Sequence, residues 1–217
     1  VAASVDDVAD VLRFARANSF RVAPQSTGHN AGPLGPLAGT ILLKTHLLRE
    51  VTIDVEARTA RALAGSQMID ITSQASPHGL APVSGSAPDV GVVGFMSGGG
   101  IGWLSRKLGL FADSVLAIEA VLADGSIVRA DAENEPELFW ALRGGSGSYA
   151  VVTAIEVRLF EVGEMVSMGA MLWPWERSKE VLEVWRRWTK EAPEEVTTSA
   201  RLLQLPPLPE IPEPLRG

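Results

Sequence analysis

The chain has 217 residues, of which 46% are hydrophobic and 21% charged, and this composition is that of a folded globular protein with one full domain and part of another. Its formal net charge of -7 argues against nucleic acid as a partner, because a binder of the phosphate backbone needs clustered Lys and Arg. The absence of cysteine excludes disulfides and thiolate chemistry but leaves the compartment undetermined, with the cytoplasm slightly favoured. Because glycines interrupt the best apolar stretch, we expect a soluble protein that spans no membrane.

The first half of the chain predicts a helix followed by short strands. A capping box formed by Ser4 and Asp7 begins a helix that ends near Asn18. Because the chain opens directly with this helix, we expect an earlier strand to be missing. After a short apolar strand near Arg21, branched residues and turn signals predict strands over 40–45, 51–54 and 59–64, and then a helix over 68–76.

The second half continues this pattern and then changes in composition. A hairpin is predicted around Asp124-Gly125, followed by a helix over 135–142 and a buried strand over 150–159. Short strands, hairpins and a few helices indicate an α+β fold. Beyond residue 160 the pattern opens a second domain, with a strand over 168–173, a helix over 178–190, a strand over 196–205 and a proline-rich segment over 206–217. We therefore predict one domain over 1–160 and the truncated beginning of another over 161–217.

Two loops of small residues carry the functional signal. Glycines are dense between Gly85 and Gly109, which is typical either of backbone amides that approach a phosphate or of turns and tight packing. An earlier loop, 21–32, surrounds His29 with Ser26, Thr27 and Asn30. Alone, His29 is more typical of a solvated loop histidine than of a functional residue, but the pair of loops favours a nucleotide site.

The sequence excludes several common kinds of functional site. Gly145 to Ala150 matches the glycine pattern of a dinucleotide fold, but a helix precedes it and a strand follows, which is the reverse of the required order. No Gly-Lys-Ser/Thr P-loop and no nucleophile elbow occurs. The three histidines, at 29, 46 and 78, have no metal-ligand spacing, so we expect no metal site.

A series of sequence blocks resembles a known family. In order, these are Pro24-Gln-Ser-Thr-Gly-His-Asn30, the glycine run from Pro88 to Asp113, Asp124-Gly125, Leu138-Phe-Trp-Ala-Leu-Arg-Gly-Gly145 and Val151-Val-Thr153. They resemble the FAD-binding domain of the vanillyl-alcohol oxidase superfamily, in particular its berberine bridge enzyme-like branch, over residues 1–160. The ordered set is more specific than any single glycine motif.

The resemblance implies a fold, a cofactor and a site. The fold would be a PCMH-type FAD-binding domain of two small α/β subdomains, followed by the start of an antiparallel-sheet substrate domain. In the family the first loop wraps the pyrophosphate of FAD, and its histidine, here His29, is joined covalently to the flavin 8α-methyl position. The implied cofactor-binding residues are Ser26, Thr27, Gly28, His29, Asn30, Asp89, Val90, Gly91, Gly94, Gly98, Gly99, Gly100, Gly102, Val151 and Val152.

The chain departs from the family pattern in two places. Many members attach the flavin a second time through a cysteine, where this chain has Ala87, so at most one covalent bond, through His29, is available. Before Val151, Ser148 and Ala150 replace the usual asparagine and glycine, although Tyr149 is conservative.

The resemblance implies an FAD-linked oxidoreductase that accepts a hydride at flavin N5 from an alcohol, a sugar or a carbon bonded to nitrogen. Its partners would be a small-molecule substrate and, in an oxidase, molecular oxygen. A flavin-binding module without turnover is the alternative, and an NADPH-dependent UDP-sugar reductase is a third. No catalytic base is assigned from the sequence. Packing or a solvated helix face is the simpler explanation for Trp103 and Arg106. A position in the core is the simplest explanation for Trp185 and Trp188, and a turn cap is the simpler one for Asp113.

Overall fold

In the computed structural model of the protein, residues 1–163 and 166–212 are described. The chain divides into two compact units, Val1–Glu164 and Met165–Gly217. The end of the predicted proline-rich segment, residues 213–217, lies outside the described residues. In the described ranges, no helix has the length and apolar character needed to cross a membrane.

The first unit begins with a helix packed on a small parallel sheet. Helix α1 (Val5–Ala17) starts with the predicted capping box, in which Ser4 Oγ accepts a hydrogen bond from Asp7 N–H and the Asp7 carboxylate accepts one from Ser4 N–H. Strands β1 (Arg21–Gln25) and β2 (Thr40–Lys44) pair in parallel. The buried face of α1 contributes Val8 and Leu12 to a core that includes Leu43 of β2.

The second layer is a five-stranded antiparallel sheet with the order β3-β4-β8-β6-β7. The strands are β3 (Val51–Asp54), β4 (Thr59–Leu63), β6 (Val115–Val121), β7 (Ile127–Asp131) and β8 (Val151–Arg158). All five were predicted from the sequence. Strand β8 lies in the middle, and its first five residues are all buried, which explains its continuous run of apolar and β-branched residues.

Short helices and strands cover this sheet. They are α2 (Met68–Ala75), β5 (Leu80–Ala81), α3 (Val92–Ser97), α4 (Ser105–Leu108), α5 (Pro136–Leu142) and β9 (Phe160–Glu161), with β5 and β9 forming a separate antiparallel pair. Met68, Met96 and Phe139 from these helices join Ile118 and Ile155 of the sheet in the main core. The α+β class with two small α/β layers is thereby confirmed.

The second unit differs from the sequence prediction. Helix α6 (Ser178–Trp188) forms as expected, but none of its side chains is buried, and Trp188 is 44% exposed rather than part of a core. Over 166–212 the structure has no strand, so the strands predicted over 168–173 and 196–205 are wrong. Neither segment pairs with another in this unit, and an isolated strand leaves its backbone hydrogen bonds unmade.

Candidate functional site

A polar cleft of about 480 Å³ lies in the first unit. Its walls come from four segments: the loop after β1, the loop after β2, the turn before α2 and the loop before α3. The lining residues are Ser26, Thr27, Gly28, His29, His46, Arg49, Gly65, Gln67 and Asp89. Five of these nine belong to the predicted cofactor site, so residues from both small-residue loops meet in one place.

The parallel pairing of β1 and β2 explains why two of the segments meet. Parallel strands end at the same edge of a sheet, and ligands of such sheets bind outside the carboxyl ends of the strands. The loop after Gln25 carries His29, and the loop after Lys44 carries His46 and Arg49. The sequence analysis missed His46 and Arg49, although this edge rule, applied to the two predicted strands, could have found them.

Gly28 shapes the first loop. Its φ is +79°, a left-handed conformation that glycine adopts without strain, and its carbonyl accepts a hydrogen bond of 3.0 Å from Ala31 N–H. A Cβ at this position would also collide with the Gln25 side chain. The glycine therefore allows the tight turn from which the His29 side chain extends into the cleft.

The loop before α3 is anchored by its backbone. Pro88 and Val90 carbonyls accept hydrogen bonds from the first N–H groups of α2, at 2.8 and 2.9 Å, and Val92 N–H donates to Ser66 O at 3.1 Å. Gly91 N–H donates to Thr27 Oγ1 at 3.3 Å, across 64 positions of the chain. This hydrogen bond connects the two predicted loops directly.

The side chains of His29 and Asp89 are in contact in the cleft. His29 Nε2 lies 3.1 Å from Asp89 Oδ1, and the side chains are 41% and 68% exposed. A carboxylate only accepts hydrogen bonds, so its position next to Nε2 favours a proton on that nitrogen. The other ring nitrogen, Nδ1, has its lone pair available whenever the imidazole is neutral.

Arg49 is paired on the opposite wall. Its Nε and one terminal nitrogen each donate to the Asp70 carboxylate at 2.8 Å. The hydrogen bonds from Arg49 hold the pKa of Asp70 below its usual value, and Asp70 raises the pKa of Arg49. Asp70 also accepts from Gln67 N–H at the start of α2. Asp70 balances the charge of Arg49. Arg49 therefore contributes hydrogen-bond donors and part of the wall to the cleft, and adds little net positive charge.

One atom of the cleft, Ser26 Oγ, is suited to donate a hydrogen bond to a phosphate-bearing cofactor. Ser26 Oγ is buried, lines the cleft and has no hydrogen-bond partner among the described residues. A buried hydroxyl without a partner costs free energy, and a phosphate oxygen would accept its hydrogen bond. Gly91 stands next to it: a Cβ there would lie 3.0 Å from Ser26 Oγ and crowd this donor.

The glycine run combines two roles. A Cβ at Gly100 would lie 2.6 Å from Phe111 Cβ, and one at Gly102 would lie 2.5 Å from Ser84 O, so these two positions need glycine for packing within the protein. Gly94, in contrast, has no protein atom within 4 Å of such a Cβ. Close packing therefore explains the glycines at 100 and 102, whereas Gly94 adjoins open space.

The remaining residues of the predicted cofactor site are not among those that line the cleft. These are Asn30, Val90, Gly91, Gly94, Gly98, Gly99, Gly100, Gly102, Val151 and Val152. Val151 and Val152 are buried in β8. Val152 belongs to the main core, and Val151 belongs to the core that contains Val8 and Leu12 of α1. Asp113 is a turn cap, as predicted, because its carboxylate accepts from Leu110 N–H at 2.8 Å.

Sequence comparison gives the family of this α+β domain. A family described as "FAD binding domain" matches residues 1–131. The (R)-6-hydroxynicotine oxidase of Paenarthrobacter nicotinovorans is 35% identical over 170 residues, which cover 78% of this chain and 37% of that protein. The chain thus spans little more than a third of this relative's length.

Solved structures agree with this assignment. A BBE-like protein of Arabidopsis thaliana superposes with a TM-score of 0.70 at 32% identity, over 75% of this chain and 34% of that one. A glucooligosaccharide oxidase of Acremonium strictum, described with a 6-S-cysteinyl, 8α-N1-histidyl FAD, gives a TM-score of 0.68 at 30% identity, over 75% and 35%. The chain belongs to the FAD-binding domain family, and its relatives are FAD-linked oxidoreductases of the vanillyl-alcohol oxidase superfamily and its berberine bridge enzyme-like branch.

Proposed function

We propose that this chain is the cofactor-binding part of an enzyme that oxidises a small molecule by transferring a hydride to FAD. The observation that carries the proposal is the cleft itself, where Ser26 Oγ is buried without a partner beside the hydrogen bond between Thr27 and Gly91. When bound, FAD supplies the electron acceptor, with flavin N5 receiving the hydride. The residues of this chain hold and orient that cofactor.

The first loop supplies donors for the pyrophosphate. Its backbone N–H groups and the hydroxyl of Ser26 surround one end of the cleft, and small residues allow close approach. Within the glycine run, Gly94 leaves open space beside the backbone, and under this proposal the cofactor occupies that space. Under this proposal, residues 1–160 form the FAD-binding domain and 161–217 contribute the beginning of a substrate domain.

We further propose that the flavin is attached covalently, through His29 alone. His29 extends from the Gly28 turn into the cleft, where its Nε2 contacts Asp89. Ala87 stands where many family members have a second attachment cysteine, and the chain contains no cysteine. A single bond to an imidazole withdraws electron density from the ring and favours oxidation of the substrate.

The substrate class follows the relatives. One matched protein is named for oxidation of hydroxynicotine and another for oxidation of glucooligosaccharides, so the donors in this group include carbon bonded to nitrogen and carbon bonded to oxygen. We propose an alcohol, a sugar or an amine as the hydride donor. Molecular oxygen is the proposed final acceptor, as the word oxidase in both names indicates for those proteins.

The test is acid denaturation of the purified full-length protein, followed by absorbance and peptide mass measurements. Yellow colour on the peptide that contains His29 is the expected result. His29→Ala should release all flavin into the supernatant, while the control His78→Ala, at an exposed histidine in the short helix after α2, should leave the flavin attached. Free FAD in the unaltered protein would contradict the covalent bond, and no flavin in either fraction would contradict the proposed function. Bound flavin without reduction by any amine, alcohol or sugar would indicate a binding module instead.

A further inference from the structure

We propose that Asp89 is a positioning residue for His29, and that it prepares the imidazole for covalent attachment of the flavin. This inference rests on the proposed function, because it concerns how the proposed bond forms. It assigns Asp89 a role directed at a side chain of the protein instead of at the cofactor. The supporting observation is the 3.1 Å contact between His29 Nε2 and Asp89 Oδ1.

The contact selects one nitrogen of His29 as the nucleophile. A carboxylate 3.1 Å from Nε2 favours the tautomer that carries its proton on Nε2 and leaves a free lone pair on Nδ1. The ring is also held in one orientation, as in other carboxylate–imidazole pairs, where the carboxylate stabilises the positive charge that develops on the ring. The geometry therefore points to Nδ1 as the atom that bonds to the flavin.

Backbone hydrogen bonds hold the segments that carry His29 and Asp89 next to each other. Gly91, two residues after Asp89, donates to Thr27 Oγ1, two residues before His29. The carbonyls of Pro88 and Val90, on either side of Asp89, accept hydrogen bonds from α2. Asp89 thus lies in a segment whose backbone is hydrogen-bonded on both sides. The segment that carries Asp89 is therefore held close to the loop that carries His29.

The covalent step balances with molecular oxygen as the oxidant. Nδ1 of His29 forms a bond to the 8α carbon, one C–H bond of the methyl group breaks, and its proton goes to solvent. The electron pair of that C–H bond passes into the ring system. The Nε2 proton leaves the alkylated imidazole to Asp89 and then to solvent. Oxygen then accepts two electrons and two protons as hydrogen peroxide, which restores the oxidised ring.

The rate of attachment tests this role separately from cofactor binding. The full-length protein, produced without flavin, is mixed with FAD in air, and covalent flavin is followed by fluorescence of acid-precipitated protein. Asp89→Asn should bind FAD normally but attach it on the order of 100-fold more slowly, the usual size of a general acid–base contribution. Asp89→Glu, which keeps the carboxylate, should recover part of the rate. The matched control is Asp10→Asn, because Asp10 is also an exposed aspartate in contact with a basic side chain, Arg13.

The outcomes separate the inference from the proposed function. Attachment by Asp89→Asn at the unaltered rate would overturn the role of Asp89 and leave the proposed function intact. Loss of FAD binding in Asp89→Asn, with thermal unfolding equal to that of Asp10→Asn, would also overturn it, because Asp89 would then bind the cofactor. If Asp89→Asn fails to fold, the attachment rate of Asp89→Glu is compared with that of the unaltered protein. Equal attachment rates would contradict the inference, because Asp89→Glu moves the carboxylate relative to His29. Absence of covalent flavin in the unaltered protein would refute the proposed attachment through His29 and this inference with it.

Discussion

Thr27 Oγ1 accepts a hydrogen bond from Gly91 N–H at 3.3 Å, and this contact joins the loop that carries His29 to the loop that carries Asp89. Each loop is short and rich in small residues, so neither has a core of its own to hold it in place. The relative position of His29 and Asp89 depends on this bond and on the anchoring of residues 88–92 to the start of α2.

Thr27→Val should weaken FAD binding by separating the two loops. Valine preserves the shape of the side chain but leaves Gly91 N–H without an acceptor, which costs about 1 kcal/mol, or roughly fivefold in Kd. The measurement is a titration of FAD in the His29→Ala background, where the flavin exchanges freely. Thr52→Val, at an exposed position of β3, is the control. An unchanged Kd would show that the loops hold their positions without this bond.

Gly94→Ala should stabilise the flavin-free protein and weaken FAD binding at the same time. Gly94 lies inside α3, where alanine is preferred over glycine by about 0.5–1 kcal/mol, and no protein atom lies within 4 Å of the added Cβ. If that space belongs to the cofactor, the methyl group competes with it, and we expect at least a tenfold increase in Kd. Gly35→Ala, also in open space, is the control. Higher stability with unchanged FAD binding would exclude Gly94 from the site.

Gly100→Ala should destabilise the fold itself. The φ of Gly100 is +76°, and the added Cβ would lie 2.6 Å from Phe111 Cβ, a buried residue of the main core. Backbone strain and overpacking together should lower the free energy of unfolding by about 2–4 kcal/mol. Urea unfolding of the flavin-free protein measures this loss. Gly98→Ala serves for comparison, since its Cβ would meet no neighbour closer than 3.6 Å and its φ is -91°, and it should be close to neutral.

Glu119→Gln should reduce stability at neutral pH and have little effect in acid. Arg61 on β4 reaches past β8 and donates to both Glu119 oxygens, at 2.8 and 2.7 Å, and these hydrogen bonds lower the pKa of Glu119. A carboxyl group with a lowered folded-state pKa contributes stability above its unfolded value, and this contribution is lost as the pH falls through the folded pKa. The pair is partly exposed, so we expect a loss of about 1 kcal/mol at pH 7.

The check is urea unfolding of both proteins between neutral pH and pH values below the ordinary Glu pKa of 4.5. The two stability curves should converge as the pH falls. A constant difference over the whole range would mean that the substitution acts through packing, not through the charge of Glu119. Glu133→Gln, at an exposed glutamate in the turn after β7, is the control and should match the unaltered protein throughout.

Prediction from sequence succeeded where local chemistry decides the structure. The capping box of Ser4 and Asp7, the turn at Asp124-Gly125 and the apolar run of β8 each specify their element within a few residues. The same reasoning failed over 168–173 and 196–205, where apolar runs suggested strands. A strand is completed by a ladder of backbone hydrogen bonds to a neighbouring strand, and residues 166–212 contain no strand.

The sequence by itself determined the composition of the candidate site: two loops of small residues, one histidine, and no cysteine that could form a second attachment. The arrangement was decided by tertiary structure. Parallel pairing of β1 with β2 brought His46 and Arg49 to the cleft, and hydrogen bonds from α2 and Thr27 brought Asp89 to His29. Such contacts join residues far apart in the chain, and since their spacing follows no local period, only the folded backbone brings them together.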